Sequence, residues 1–161
     1  MTRINSAIPV ANLTDEHLLA EHREIKRLPY CLSEAIRCGS INKLPDSFTL
    51  GPGHVKFFLN KMHFVYWRYC MLLSECESRK FYVTDYKSNF FDAPKEFDND
   101  YYPSKQELRR ETLILQKRIM HRIQDSKKEV WHYMGKPISK REAIDLLFNS
   151  SYKDAEDMYK R

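Results

Sequence analysis

Apolar residues recur at Leu18, Ile25, Leu28, Leu32, Ala35 and Ile36, one face at helical spacing, and predict a first long helix. Leu13 and Leu18 flank Thr14 as a hydrophobic staple, which makes Thr14 the N-cap, and Gly39 supplies the stop. Pro29 falls inside this helix without an N–H to donate, so a bend is expected over 25–29. Before it, residues 1–13 contain Pro9, show no period and should lie extended over the fold. After it, a loop over 40–49 leads into LGPGHVKFF, where Gly51-Pro52-Gly53 lacks the GK[ST] of a phosphate-binding loop and reads as a turn. A second helix over 54–79 places Val55, Phe58, Met62, Val65, Tyr69, Leu72 and Cys76 on one face. Phe57, Phe64, Tyr66 and Trp67 broaden that face, so this should be the most buried helix. Residues 81–103, despite the short β-like FYVTDY, read as irregular connection. Ser104 and Glu107 form a capping box that opens a third helix with Leu108, Thr112, Leu115, Ile119 and Ile123 inward, ending over 125–128. A second box, Ser139 to Glu142, opens a short helix, and Ser151 caps another over 153–161.

The fold expected is all-α: a single compact domain of three main helices with long loops, over 1–138, plus a short C-terminal helical extension, 139–161, packed on or beside it. At 161 residues the chain fits one core. No apolar run approaches the roughly 20 residues that span a bilayer. The N-terminus is polar within five residues and lacks a signal-peptide core, so an intracellular protein is expected. Cys31, Cys38, Cys70 and Cys76 match no CxxC pattern and read as buried free thiols in helices; the histidines form no HxxxH or HxH pair. Neither a metal nor another cofactor is expected.

The net charge of +5 is unevenly spread, with residues 104–141 carrying eleven Lys/Arg against four Asp/Glu. Such a segment fits a polyanion partner, or simply solvated helix faces. The polar side of the first helix shows His17 and, in the run AEHREIKRLP, Arg23, Glu24 and Arg27. His17 and Glu24 lie two turns apart on one stripe and Arg23 and Arg27 are i, i+4 neighbours beside it. By itself this is either a solvated, salt-bridged face or a site. The segment WHYMGKPI interleaves aromatics with basic residues, a composition suited to nucleic acid.

Taken together, MTRIN at the start, HLLAEHREIKR, LGPGHVKFF with NKM, PKEF with DYYP, and YMGKPI, in that order, resemble the phage pyrimidine-dimer DNA glycosylase family, the dimer-specific endonuclease V, over about residues 1–138. The resemblance implies a compact all-α fold and a DNA repair glycosylase with AP lyase activity. With Met1 removed, the amine of Thr2 would attack the sugar C1′ of the 5′ base of a cyclobutane pyrimidine dimer, release the base, form a Schiff base and cut the strand by β-elimination. Glu24 matches the essential carboxylate. Arg3, Arg23 and Arg27 match basic positions, with His17 nearby, and Lys87, Arg118, Arg122, Trp131, Tyr133 and Lys136 complete the DNA-binding set. The partner implied is double-stranded DNA containing lesions, with the protein a monomer away from membranes.

These residue types suit that chemistry. A lysine amine has a pKa near 10.4, whereas an α-amine lies near 7.7–8.0 and is partly neutral at pH 7. A carboxylate beside C1′ stabilises an oxocarbenium-like state and moves protons afterwards. The chain departs from the family in a shortened aromatic segment before YMGKPI, in Ile114 where an arginine is usual, and in the added tail. Two other readings are the same chemistry on another modified base or mainly on abasic sites, and a non-catalytic DNA-binding protein of this fold.

Overall fold

The computed structural model describes residues 4–149 and 152–160. The expected nucleophile Thr2, its neighbour Arg3 and the expected cap Ser151 lie outside the described residues.

The fold is mostly helical, as expected. Thr14 caps α1 (Asp15–Ile25), its side chain accepting from the His17 amide. The expected bend is a full break, and α2 (Leu28–Arg37) starts afresh with Pro29 in its first turn, where a missing N–H costs no helical bond. The restart sets a new register. Leu28, Leu32 and Ala35 point inward at i, i+4 and i+7, while Ile36, one residue further round, is 40% exposed rather than buried. Gly39 stops α2 with φ +70°.

The second expected helix is also two. α3 (Gly53–Phe58) and α4 (Met62–Ser78) are separated where the Lys61 ammonium donates to the Phe57 carbonyl at 2.8 Å and Asn99 donates to the Asn60 carbonyl at 3.0 Å. Side chains there take the carbonyls that a continuous helix would use. Gly53 is required at the start of α3, since a Cβ would sit 2.6 Å from the Thr49 methyl. Val55 is only half-buried, but Phe57, Phe58, Phe64, Val65, Tyr69, Leu72 and Cys76 line the core. Of the thiols only Cys76 is buried. Cys31 and Cys70 are half-buried, and Cys38 is exposed because it caps the end of α2.

Residues 81–103 are irregular apart from short 3-10 turns. The Ser104–Glu107 box opens α5 (Lys105–Gln124), with all five inward residues buried. A small antiparallel hairpin follows that the sequence reading did not contain: β1 (Val130–Tyr133) pairs with β2 (Lys136–Ser139). Its two-residue turn, Met134-Gly135, has φ +53° and +75°, the positive values of a twisted hairpin turn. Next come α6 (Lys140–Asn149), opened by the Ser139–Glu142 box, and α7 (Tyr152–Met158). Ala143, Leu147, Ala155 and Tyr159 belong to the same hydrophobic core as α1 and α4, and the Tyr159 ring stacks on Phe64 at 5.7 Å. The tail thus shares one core with the rest of the chain.

One core group is electrostatically costly. Glu111 is 2% exposed, and Tyr101 donates to its Oε1 while Oε2 has no hydrogen-bond partner among the described residues. Burial pushes its pKa up to about 7. A carboxyl raised above its unfolded value binds the extra proton in the native state, so its contribution is favourable below about pH 4.5 and is lost as pH rises through 7. Relative to Glu111→Gln, the wild-type protein should therefore lose about 1–3 kcal/mol of stability between pH 4.5 and pH 8, measured by urea unfolding. Parallel pH profiles for the two proteins would refute the assignment.

Candidate active site and nucleic-acid interface

The N-terminal segment enters the core instead of lying over it. Ile4, Asn5, Ser6 and Ala7 are each 2% exposed or less. A buried backbone needs partners, and side chains supply them. The Glu21 carboxylate, on α1, accepts from the Asn5 amide at 3.0 Å and from Asn5 Nδ2 at 2.7 Å. Arg68, fully buried on α4, holds the same carboxylate through Nε at 2.9 Å and its terminal nitrogen at 3.2 Å, and donates to the Ile8 carbonyl at 2.9 Å. Arg118 on α5 reaches Asn5 Oδ1 at 2.6 Å.

His54 closes this group. Burial, assisted by the charge of Arg118, lowers its pKa to about 4, so the ring is neutral and carries one N–H. Placed on Nδ1, that proton goes to the Thr49 carbonyl at 3.0 Å and leaves Nε2 to accept the Ile4 amide at 3.3 Å. The other tautomer would satisfy only the Ile4 carbonyl. The first is therefore favoured.

Glu24 sits one turn beyond Glu21, in the last turn of α1 beside the break. Its carboxylate is 28% exposed and 3.6 Å from the Arg27 guanidinium, and its Oε2 has no hydrogen-bond partner among the described residues. Arg23 and Arg27 are exposed next to it.

The hairpin docks on the N-terminus of α1. Asp15 accepts from the Met134 and Gly135 amides at 3.1 and 2.8 Å, holding the strained turn, and pairs with buried Arg79 at 2.8 Å. Glu16 accepts from the His132 amide at 3.2 Å and ring at 2.9 Å and from Lys128. Burial works to raise the Glu16 pKa, but these donors outweigh it and hold it at about 2. The result is an open cleft of about 540 Å³ bordered by Glu16, His17, Arg122, Lys128 and Trp131.

The structure therefore gathers His17, Arg122 and Trp131 around one cleft. His17 is buried, with its ring parallel to that of Trp131 at 5.2 Å, and Trp131 is only 7% exposed. Tyr133 donates to the Ala11 carbonyl at 3.0 Å and lies under Arg79. Both aromatics are thus engaged in packing. Lys136 is exposed at the start of β2. Lys87 pairs with Asp85 at 3.5 Å and follows Tyr86, whose ring lies under Lys26. Among the described residues no group of three or more His, Cys, Asp or Glu could hold a metal, and no helix is long and apolar enough to cross a membrane.

With this geometry the match to a known family becomes interpretable. The family described as pyrimidine dimer DNA glycosylase matches residues 1–89. The chain belongs to that family. The matched stretch holds the N-terminal segment, the buried Glu21–Arg68 pair, Glu24 and both flanking arginines. Membership supports a DNA repair glycosylase.

Sequence reasoning missed Glu21, Arg68, His54, Asp15, Glu16 and Arg79. One signal was present: an arginine within the apolar run VYWRYC, one residue from the core position Tyr69, demands a buried carboxylate.

His54 yields a measurable consequence. Its folded pKa lies below the unfolded value near 6.5, so the unfolded chain binds more protons between pH 6.5 and 4 and stability falls as pH falls through that window. Glu111 contributes with the opposite sign, which makes the comparison one between variants. Relative to His54→Gln, wild-type protein should lose about 1–2 kcal/mol between pH 6.5 and 5 in urea unfolding. Equal slopes would show that the ring does not stay neutral on folding.

Proposed function

We propose that the enzyme uses the mature N-terminal amine of Thr2 as nucleophile and Glu24 as its carboxylate partner, as glycosylase and AP lyase together. The amine nitrogen bonds to C1′ of the 5′ nucleotide of the dimer as the glycosidic bond breaks, and that electron pair and a proton leave with the base. Opening of the sugar ring gives an imine between the amine and C1′. Removal of a C2′ proton then expels the 3′ phosphate from C3′, cutting the strand by β-elimination. Glu24 stabilises positive charge at C1′ and moves the protons at C1′ and C2′.

The observation that carries this reading is the attachment of Asn5 to Glu21, one helical turn from Glu24. One turn is about 5.4 Å along the axis, and three extended residues reach about 10 Å, so an amine on Thr2 is within range of the Glu24 carboxylate. Glu24 fits the role in another respect, since its Oε2 is buried without a hydrogen-bond donor among the described residues.

Arg3, Arg23, Arg27, Arg118, Arg122 and Lys136 are proposed to hold phosphates, with His17, Trp131 and Tyr133 shaping the face through their packing. Phosphate contacts position the duplex without reading bases, and a dimer that stacks and pairs poorly is cheaper to deform. Substrate of this kind places the enzyme's work inside the cell, as a monomer without metal or other cofactor.

Borohydride trapping on a duplex with a thymine dimer, beside an abasic duplex, tests the chemistry. Covalent adducts with both are expected; trapping on the abasic duplex alone would make the protein mainly a lyase, and no adduct with either, from protein of verified free Thr2, would refute the mechanism. Glu24→Gln should keep DNA affinity and lose about 100-fold or more in base release. Arg27→Ala should flatten the dependence of log affinity on log salt by about one phosphate contact, and an unaltered slope would remove Arg27 from the phosphate set.

A further inference from the structure

We infer that Asn5, clamped by Glu21, is a positioning residue that sets where the N-terminal amine stands relative to Glu24 and the arginines of α5; this rests on the proposed role of Thr2. Asn5 is 2% exposed and both ends of its amide are used. Its Nδ2 donates to Glu21 Oε2 at 2.7 Å and its Oδ1 accepts from Arg118 at 2.6 Å, while its backbone amide donates to Glu21 Oε1 at 3.0 Å. A short side chain with a donor and an acceptor on one carbon is what that site takes. Aspartate would set a second carboxylate against Glu21, and glutamine is a methylene too long for the two distances.

Glu21 is saturated. Its oxygens accept two hydrogen bonds from Asn5 and two from Arg68, which fills the roughly four lone-pair sites of a carboxylate. It is fully buried and has no capacity left for substrate, so its chemistry is orientation. The clamp and the proposed catalytic carboxylate share one rigid helix at a separation of three residues, which fixes them relative to each other. Arg118 carries the same register to α5, where Arg122 follows four residues later and borders the cleft. Asn5 is therefore the junction of three parts: the N-terminal segment, the helix of Glu24, and the basic helix.

Loss of the Asn5 side chain leaves the Glu21–Arg68 pair, the backbone bond of residue 5 and the His54 tether on Ile4 in place. The fold should survive, and the placement of the amine should loosen. Misplacement by about 1 Å can cost on the order of 100-fold in rate.

The test compares wild-type protein with Asn5→Ala, both verified by mass to begin at Thr2, on an abasic duplex with borohydride. Three quantities are read: the rate of trapping, the affinity for an uncleavable abasic-analogue duplex, and imine formation with benzaldehyde, which reports the intrinsic reactivity of the amine. For Asn5→Ala we expect a trapping rate lower by about 10- to 100-fold, affinity within about threefold, and unchanged reaction with benzaldehyde. A trapping rate within about twofold of wild type overturns the positioning role, as does a loss matched by an equal loss of affinity or of benzaldehyde reactivity. If Asn5→Ala does not unfold cooperatively, Asn5→Ser is read by the same criteria. Absence of trapping by wild-type protein instead overturns the Thr2 chemistry itself, which separates the two failures.

Discussion

The Glu21–Arg68 pair is the constraint on which the rest of the structure depends. Both side chains are fully buried, one on α1 and one on α4. Such a pair contributes little net stability compared with a packed apolar substitute, because two charges must be desolvated; losing one partner costs about 3–5 kcal/mol, because the other is then stranded. The pair is thus better understood as a device for specificity of geometry. It fixes the rotation of α1 against α4, and through Asn5 and the Ile8 carbonyl it fixes the chain that precedes α1. An apolar contact would permit sliding that directional bonds do not.

A second buried arginine does the equivalent at the other end of α1. Arg79 binds Asp15 and Glu75 and donates to the carbonyls of Val10, Ala11 and Leu13. Asp15 in turn holds the hairpin turn, and Glu16 holds His132 and Lys128. These acidic residues lie in the first turn of α1, where the helix dipole favours negative charge. The hairpin is therefore attached to α1 electrostatically, and the stack of Trp131 on His17 follows from that attachment. One helix carries the N-terminal clamp, the hairpin dock and Glu24 within ten residues.

Periodicity and caps made the helices legible: Thr14, Ser104 and Gly39 act as their residue types require. The α1–α2 break was foreshadowed by Pro29, whereas the α3–α4 break was less legible, because Asn99 takes the Asn60 carbonyl from 39 positions away, a contact that no local pattern reports. The hairpin was hidden for a similar reason. Met134-Gly135 lacks the Asn-Gly or Asp-Gly signature of a tight turn, and Met134 tolerates φ +53° only because Asp15 accepts both turn amides. At the candidate site, Glu24, Arg23 and Arg27 were visible as a polar face, but its meaning came from the family resemblance. Residues that hold the site, Glu21 and His54, were illegible because their partners are 16 and 50 positions away.

Counting charge misjudges the interface in an instructive way. The segment 104–141 holds the largest basic excess, yet several of its cations have internal duties. Arg118 bonds Asn5, Lys128 bonds Glu16, Lys105 pairs with Glu156, and Lys140 bonds the Ser126 carbonyl and Glu129. A lysine already paired with a carboxylate releases fewer counterions when it meets a phosphate, so its share of affinity is smaller than its formal charge implies. Arg23 and Arg27 lie outside that segment, exposed beside Glu24, whose carboxylate is 3.6 Å from the Arg27 guanidinium. Under the proposed mechanism, position relative to Glu24, rather than density along the chain, would make a basic residue relevant to the reaction.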